Sequence, residues 1–292
     1  MTQMTDNMRA ALLMIGGMTF FALGDAIVKT TAGILPLSQM LVLRGILATA
    51  FLLGLARWMG QLSFRLPIRD WILIAIRSAC EAAAAWFFLT ALYHMPIANL
   101  TAILQMLPLT MTLSMALFFG EKVGWRRWAA ILVGFIGMLL IVRPGPDGFT
   151  LYAMYGLATV GCVTLRDLAT RHISSRAPSL TVTFFGSLSV TLFGVGLSFV
   201  EEWATFDWGW GVTVLGAAGT IILAYSLSVL TMRVGEVSFT APFRYSGLVV
   251  ALILGLVMFG DWPDPLTLLG AAIVVGSGLF TMWRERVTAR AS

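Results

Sequence analysis

The side chains able to do chemistry in this sequence are charged residues set in apolar surroundings. Arg77 and Glu81 stand one helical turn apart within the run Trp71–Tyr93, on a face that also takes Ala84, Ala85 and Phe88. Arg244 lies within Val237–Phe259 and Arg44 within Leu37–Ala56. An ionised group at the centre of a membrane-crossing helix costs about 2.5–3.5 kcal/mol, so such groups face protein, water or a partner. At about 1.5 Å of rise per residue, Glu81 lies ~16 Å beyond Asp70 and Arg244 ~12 Å beyond Glu236. Arg77, Glu81 and Arg244 can therefore meet, and two readings are open: a fixed salt bridge between two helices, or groups that take the carboxylate and ammonium of a bound molecule. Arg44 reads instead as the structural partner of Asp25 at a similar depth.

Uncharged polar residues add to this set. Thr101, Gln105, Pro108 and Thr112 recur at helical spacing in Ile97–Phe119. Lipid offers them no hydrogen bonds, so the stripe should face a neighbouring helix or an aqueous cavity. Tyr225 and Ser228 share a face in Gly209–Met232. Trp86 and the aromatics around it can line an apolar cavity, although Trp86 sits about 140° around its helix from Glu81; interfacial bulk is the alternative. Asp25/Lys29 and Asp167/Arg171 are i,i+4 pairs near the C-terminal ends of their runs, where a cation suits the helix dipole. The sharper reading makes those four residues inner and outer gate contacts, broken in turn. Neither HExxH nor GxSxG occurs, and Cys80, Cys162 and His94 show no metal-ligand spacing. The chemistry on offer is binding and passage, with no catalysis, cofactor or metal.

The elements that must position these residues follow from composition. The chain has 292 residues, 59% hydrophobic and 11% charged, with a mean hydropathy of +0.89. A soluble domain carries roughly 25% charged residues, and this apolar excess would leave large exposed patches on a globule in water. Soluble enzymes, disordered chains and disulfide-rich modules are excluded. The formal charge of +5 does not indicate nucleic acid, because the basic residues are scattered rather than clustered in a block or stripe.

Ten runs are long enough to cross a bilayer, which takes about 20 residues: Met8–Thr30, Leu37–Ala56, Trp71–Tyr93, Ile97–Phe119, Trp125–Val142, Phe149–Thr170, Leu180–Val200, Gly209–Met232, Val237–Phe259 and Leu266–Trp283. The N-terminus and every second connection carry Arg9; Arg57, Arg65, Arg69; Lys122, Arg126, Arg127; Arg166, Arg171, Arg176; Arg233; and Arg284, Arg286, Arg290. The opposite set has only Lys29 and Arg143. Basic loops stay on the cytoplasmic side, so both termini are expected there.

The sequence also repeats. At a shift of 140 residues Gly120-Glu121 falls on Gly260-Asp261, Ile97 on Val237, Gln105 on Tyr245 and Ala130 on Gly270; at 142, Asp25-x-x-x-Lys29 falls on Asp167-x-x-x-Arg171. An odd number of spans per copy makes the copies enter the membrane in opposite directions. The expected fold is therefore an all-α membrane protein of ten transmembrane helices, built as two inverted five-helix repeats over residues 1–145 and 146–292. Such inverted repeats are a transporter architecture.

Two stretches, LPLTMTLSMALFFGEKVGW (Leu107–Trp125) and APFRYSGLVVALILGLVMFGDWPD (Ala241–Asp264), with the glycine-rich last run from Gly270 to Gly278, resemble the EamA-type members of the drug/metabolite transporter superfamily, and among them bacterial exporters of aromatic amino acids. The chain departs from the pattern where Leu248 stands opposite Pro108 and where Asp261 replaces the usual Glu. The resemblance implies a multi-pass carrier of the bacterial inner membrane. It would export aromatic and other neutral amino acids or related metabolites by alternating access through a central cavity, with the third, fourth, eighth and ninth helices lining it. Its substrate contacts would be Arg77, Glu81, Trp86, Thr101, Gln105, Tyr225, Arg244 and Tyr245, in a monomer or weak homodimer. An importer of a nucleoside derivative and a proton-coupled multidrug or cation efflux carrier would share the scaffold.

Overall fold

A chain this apolar must satisfy its backbone hydrogen bonds internally, and every regular element among the described residues is helical. The computed structural model describes residues 6–119, 125–142, 151–174, 176–205, 207–234 and 240–289. Its helices are α1 (Asp6–Lys29), α2 (Leu37–Trp58), α3 (Ile68–His94), α4 (Ile97–Leu104), α5 (Leu107–Phe119), α6 (Trp125–Val142), α7 (Leu151–His172), α8 (Ser179–Leu197), α9 (Trp208–Val234), α10 (Ser246–Phe259) and α11 (Pro265–Ala289). A 3-10 turn over Ala241–Tyr245 leads into α10. With α4 and α5 counted as one crossing, these elements account for all ten expected spans. Among the described residues, seven spans are long and apolar enough to cross a membrane by length and composition, and two more apolar stretches, Trp128–Val142 and Pro265–Thr281, are shorter. The span that meets neither measure is α7, whose tyrosines, threonines, Arg166 and Asp167 dilute its apolar residues.

The fourth span differs from expectation: it is broken. Gln105 and Met106 donate their N–H groups to Ala102 and Ile103, a tighter i→i−3 pattern. Pro108 has no N–H for the Leu104 carbonyl, and the Leu109 N–H turns to Met106 at 2.9 Å. The stripe from Thr101 to Thr112 is therefore split between two helices. A matching interruption occurs in the ninth span, where the 3-10 turn carrying Pro242 gives way to α10 after Tyr245. Gln105 and Tyr245 thus mark equivalent breaks. The C-terminus of α10 is closed by Gly260 at φ 68°, with its N–H on Leu256, a left-handed position that suits glycine. Its counterpart Gly120-Glu121 lies outside the described residues, as do Lys122, Arg143, Val237 and Arg290.

Contacts divide the chain into two compact units. One comprises Met1–Ala26, Met95–Met154 and Leu223–Ser292, the other Ile27–His94 and Tyr155–Ile222. Each draws helices from both sequence halves. In the first, α6 packs on α11 so closely that a methyl on Gly137 would strike the Gly270 carbonyl and one on Gly270 the Gly137 carbonyl. Such small-residue faces are how helices approach where lipid supplies no hydrophobic drive. In the second, α2 packs on α8 in the same way, with Gly45 against Thr191 and Gly194 against Leu41 and Val42.

The second unit also displays the repeat in its hydrogen bonds. Thr49 bonds to Thr191 at 3.1 Å, its own equivalent at a shift of 142. Gln39 exchanges hydrogen bonds with the backbone of Ala204. Its equivalent, Thr181, does the same with Gln61 and Ser63, which bracket the position equivalent to Ala204. Reciprocity of this kind is what a two-fold relation between copies produces. Loops staple the helix ends. Pro36 gives α2 no side-chain cap, and the Glu201 carboxylate accepts the Ser38 N–H at 2.8 Å instead. The buried Asp70 carboxylate accepts both the N–H and the hydroxyl of Ser174, at 3.1 and 2.6 Å.

Candidate functional site

In the second unit, α3 and α7 bring four charges into one line. Arg77 and Glu81 are i,i+4 on α3, so their side chains meet over one turn; Nη2 of Arg77 lies 3.4 Å from Oε2 of Glu81. The other carboxylate oxygen, Oε1, accepts from Nη1 of Arg166 at 3.2 Å. Arg166 in turn holds Asp167 through Nε and Nη2, each 2.8 Å from Oδ1. The sequence of charges is Arg77, Glu81, Arg166, Asp167: plus, minus, plus, minus.

The four are not equally held. Arg77 also donates from Nε to Thr170 at 3.1 Å and from Nη1 to the Val182 carbonyl at 3.3 Å. Its guanidinium fills the space left by the missing side chain of Gly186 on α8. Side-chain exposure rises along the line, from 12% at Arg77 through 18% at Glu81 and 24% at Arg166 to 35% at Asp167. Arg77 is thus an anchored positioning group, and the more accessible members are Glu81, Arg166 and Asp167. Oε2 of Glu81 is buried without a hydrogen-bond donor, since the Arg77 contact is an ion pair lacking that geometry.

The same two helices carry an aromatic cluster. Trp86 and Phe87 of α3 meet Tyr155 of α7 at ring-centroid distances of 5.8 and 5.5 Å, and lie 4.9 Å from each other. Tyr155, Thr159, Cys162, Arg166 and Thr170 recur along one stripe of α7. Glu81 and Trp86 stand about 140° apart on α3, yet both meet α7, Glu81 through Arg166 and Trp86 through Tyr155. Within this unit the acid's partner on another helix is Arg166 of α7.

Arg166 and Tyr155 are what sequence reading missed. The loop-charge pattern places Arg166 in a connection, yet it falls inside the run Phe149–Thr170, and the i,i+11 relation to Tyr155 puts both on one face. That spacing was the available signal.

The other expected site residues lie in the first unit. Tyr225 meets Phe21 edge-on at 5.5 Å. The Tyr245 side chain is buried against Gly278, its hydroxyl without a hydrogen-bond partner. Arg244 is exposed, while Thr101 and Gln105 are half-buried, Gln105 at the α4 break. Of the expected gate residues, Lys29 donates to the Leu92 carbonyl at 3.1 Å in the last turn of α3, where a cation complements the dipole. Asp167 is engaged by Arg166, Arg171 is exposed near the end of α7, and Asp25 lies on α1 in the first unit. Arg44 is half-buried on α2. A cleft between α2 and the start of α9, lined by Leu43, Ile46, Trp208, Trp210 and Leu215, is apolar and offers a polar solute no charge.

Comparisons with known proteins now bear on this geometry. A riboflavin transporter of Vibrio cholerae is 29% identical over 262 residues, 88% of this chain and 86% of its own. An S-adenosylmethionine uptake transporter of Rickettsia felis is 27% identical over 195 residues, 65% of each chain, so the match spans just under two thirds of that relative. A pseudopaline exporter of Pseudomonas aeruginosa is 25% identical over 87% of this chain and 89% of its own. One solved crystal structure superposes with a TM-score of 0.64 over 93% of this chain and 96% of that one at 18% identity, a likeness of fold alone. The EamA-like transporter family matches twice, at residues 8–143 and 150–283. With two family segments that together take in most of the chain, the chain belongs to the EamA-like transporter family and is a multi-pass protein of the bacterial inner membrane.

Proposed function

We propose that this carrier exports aromatic and other neutral amino acids, or closely related zwitterionic metabolites, by exposing its binding site alternately to the two sides of the membrane. The observation that carries the reading is the pairing, on α3 and α7, of an ion line with an aromatic cluster. An aromatic amino acid has a charged head and a flat ring at a fixed short distance. On α3 the step from Glu81 to Trp86 is about 8 Å along the axis, on the scale of that separation. Glu81 and Trp86 meet the substrate here, and Arg77 acts on it by positioning Glu81. Thr101, Gln105, Tyr225, Arg244 and Tyr245 are proposed contacts on the first unit, with Arg244 a further cation for the carboxylate. Asp25, Lys29, Asp167 and Arg171 are proposed gate residues. The reciprocal bonds of the second unit support paired copies over 1–145 and 146–292; on this proposal the copies are inverted, both termini are cytoplasmic and the protein is a monomer or weak homodimer. No catalysis is ascribed to it.

A second reading is uptake of a nucleoside derivative, favoured by the S-adenosylmethionine relative; the aromatic cluster would then take a base. Counterflow in proteoliposomes separates the two. Vesicles preloaded with unlabelled phenylalanine or tryptophan should accumulate the labelled amino acid transiently, whereas S-adenosylmethionine should not drive it. Accumulation with the nucleoside derivative alone would replace the first reading by the second.

A further inference from the structure

The charge order on α3 and α7 points to a more specific binding mode. Glu81 lies between Arg77 and Arg166, and Arg166 lies between Glu81 and Asp167. The middle link, Arg166 Nη1 to Glu81 Oε1, is 3.2 Å long, against 2.8 Å for the link from Arg166 to Asp167. It is also the link between α3 and α7, whereas the other two each join residues on one helix. Opening it leaves Glu81 with Arg77 and Arg166 with Asp167, so neither charge is abandoned. Breaking a buried pair is costly chiefly when one partner is left uncompensated, and here that cost is avoided by construction.

We infer that a net-neutral zwitterion inserts into the Glu81–Arg166 link, its ammonium on Glu81 and its carboxylate on Arg166. The inserted molecule keeps the alternation intact: Arg77, Glu81, substrate ammonium, substrate carboxylate, Arg166, Asp167. Oε2 of Glu81, buried and without a hydrogen-bond donor, supplies an acceptor that an ammonium can satisfy. The Arg166 N–H that leaves Glu81 when the link opens is the donor that a carboxylate takes up. Arg77 does not touch the substrate. Fixed by Thr170, the Val182 carbonyl and the hollow at Gly186, it holds Glu81 in place. The site is selective by charge balance: a lone carboxylate or a lone amine adds an unmatched charge to a neutral line. This rests on the reading that the ion line faces the substrate, but not on the aromatic part of that reading.

The test is equilibrium binding to the purified full-length carrier, with two ligand series of three charge types. The aromatic series is phenylalanine, phenethylamine and phenylpropionate; the aliphatic one is leucine, 3-methylbutylamine and 4-methylvalerate. In each series the zwitterion should bind roughly tenfold or more tightly than either singly charged analogue, which leaves a charge unmatched. In Glu81→Gln the preference for phenylalanine over phenylpropionate should fall to about one, while the preference over phenethylamine persists; Arg166→Gln should do the reverse. Opposite changes in selectivity cannot come from general loosening, and they are read only on variants that elute as a single folded species. Equal affinities across charge types in the wild type overturn the inference even if aromatic compounds bind best. Charge preference in the leucine series alone keeps the inference and removes the aromatic reading. Absence of binding by both series overturns both.

Discussion

Arg77 is the least exposed charge of the line and the most tightly held, and its seat depends on a residue with no side chain. A β-carbon at Gly186 would collide with Nη1 of Arg77, and the guanidinium could yield only by giving up its bonds to Val182 and Thr170. Gly186→Val should therefore destabilise the protein by about 1–3 kcal/mol, as overpacking does, and reduce flux by displacing Glu81 indirectly. In an Arg77→Met background the same substitution should cost less, by about 1 kcal/mol of coupling between touching residues. Thermal unfolding of the four proteins in detergent measures that cycle, and additive shifts would mean that Arg77 is not anchored there. The site was only partly legible before folding. Arg77 and Glu81 announce themselves by their depth and i,i+4 spacing, because the cost of a buried charge is a property of sequence position. Arg166 does not, because positive-inside counting assigns basic residues near a span end to a loop. Which acid a cation meets on another helix is set by packing, and packing is not periodic in sequence.

At the level of elements, the interruptions in the fourth and ninth spans matter most. At Gln105 the helix gives up its regular ladder because Pro108 cannot donate, leaving the Leu104 carbonyl without its usual partner. Pro108→Ala restores the donor and should raise the melting temperature, since proline inside a helix costs about 3 kcal/mol relative to alanine. If the break serves transport, flux should fall severalfold in the same variant; unchanged flux would make the break a passive kink. The α2 N-terminus offers a separate test. Glu201 supplies its cap from a distant loop, so Glu201→Ala should cost about 1 kcal/mol, while Glu202→Ala, with its side chain elsewhere in that loop, should cost little. Urea or thermal midpoints decide between them. Helix limits were well anticipated because apolar run lengths fix them: Trp125–Val142 agrees at both ends. The break was not, because Thr101, Gln105, Pro108 and Thr112 fit the spacing of one unbroken helix.

For the whole molecule, the family segments follow the sequence halves while the compact units do not. In each unit a close glycine-mediated contact joins a helix to its counterpart from the other half, α2 with α8 and α6 with α11. Labelling of single cysteines introduced near each end of the chain should find both accessible from the cytoplasm; opposite sides would overturn the inverted arrangement. Residues 1–145 and 146–292 expressed as separate polypeptides should restore transport together and fail singly. Activity from either alone would show that the mates are dispensable. The reciprocal contacts carry a consequence for biogenesis as well. When the ribosome has delivered α2 and α6 to the bilayer, the helices that will fill the grooves on them, α8 and α11, do not yet exist. Those grooves must stay open to lipid until the second half is translated, so assembly completes only with the last helix. In that interval the nascent chain is most exposed to quality control.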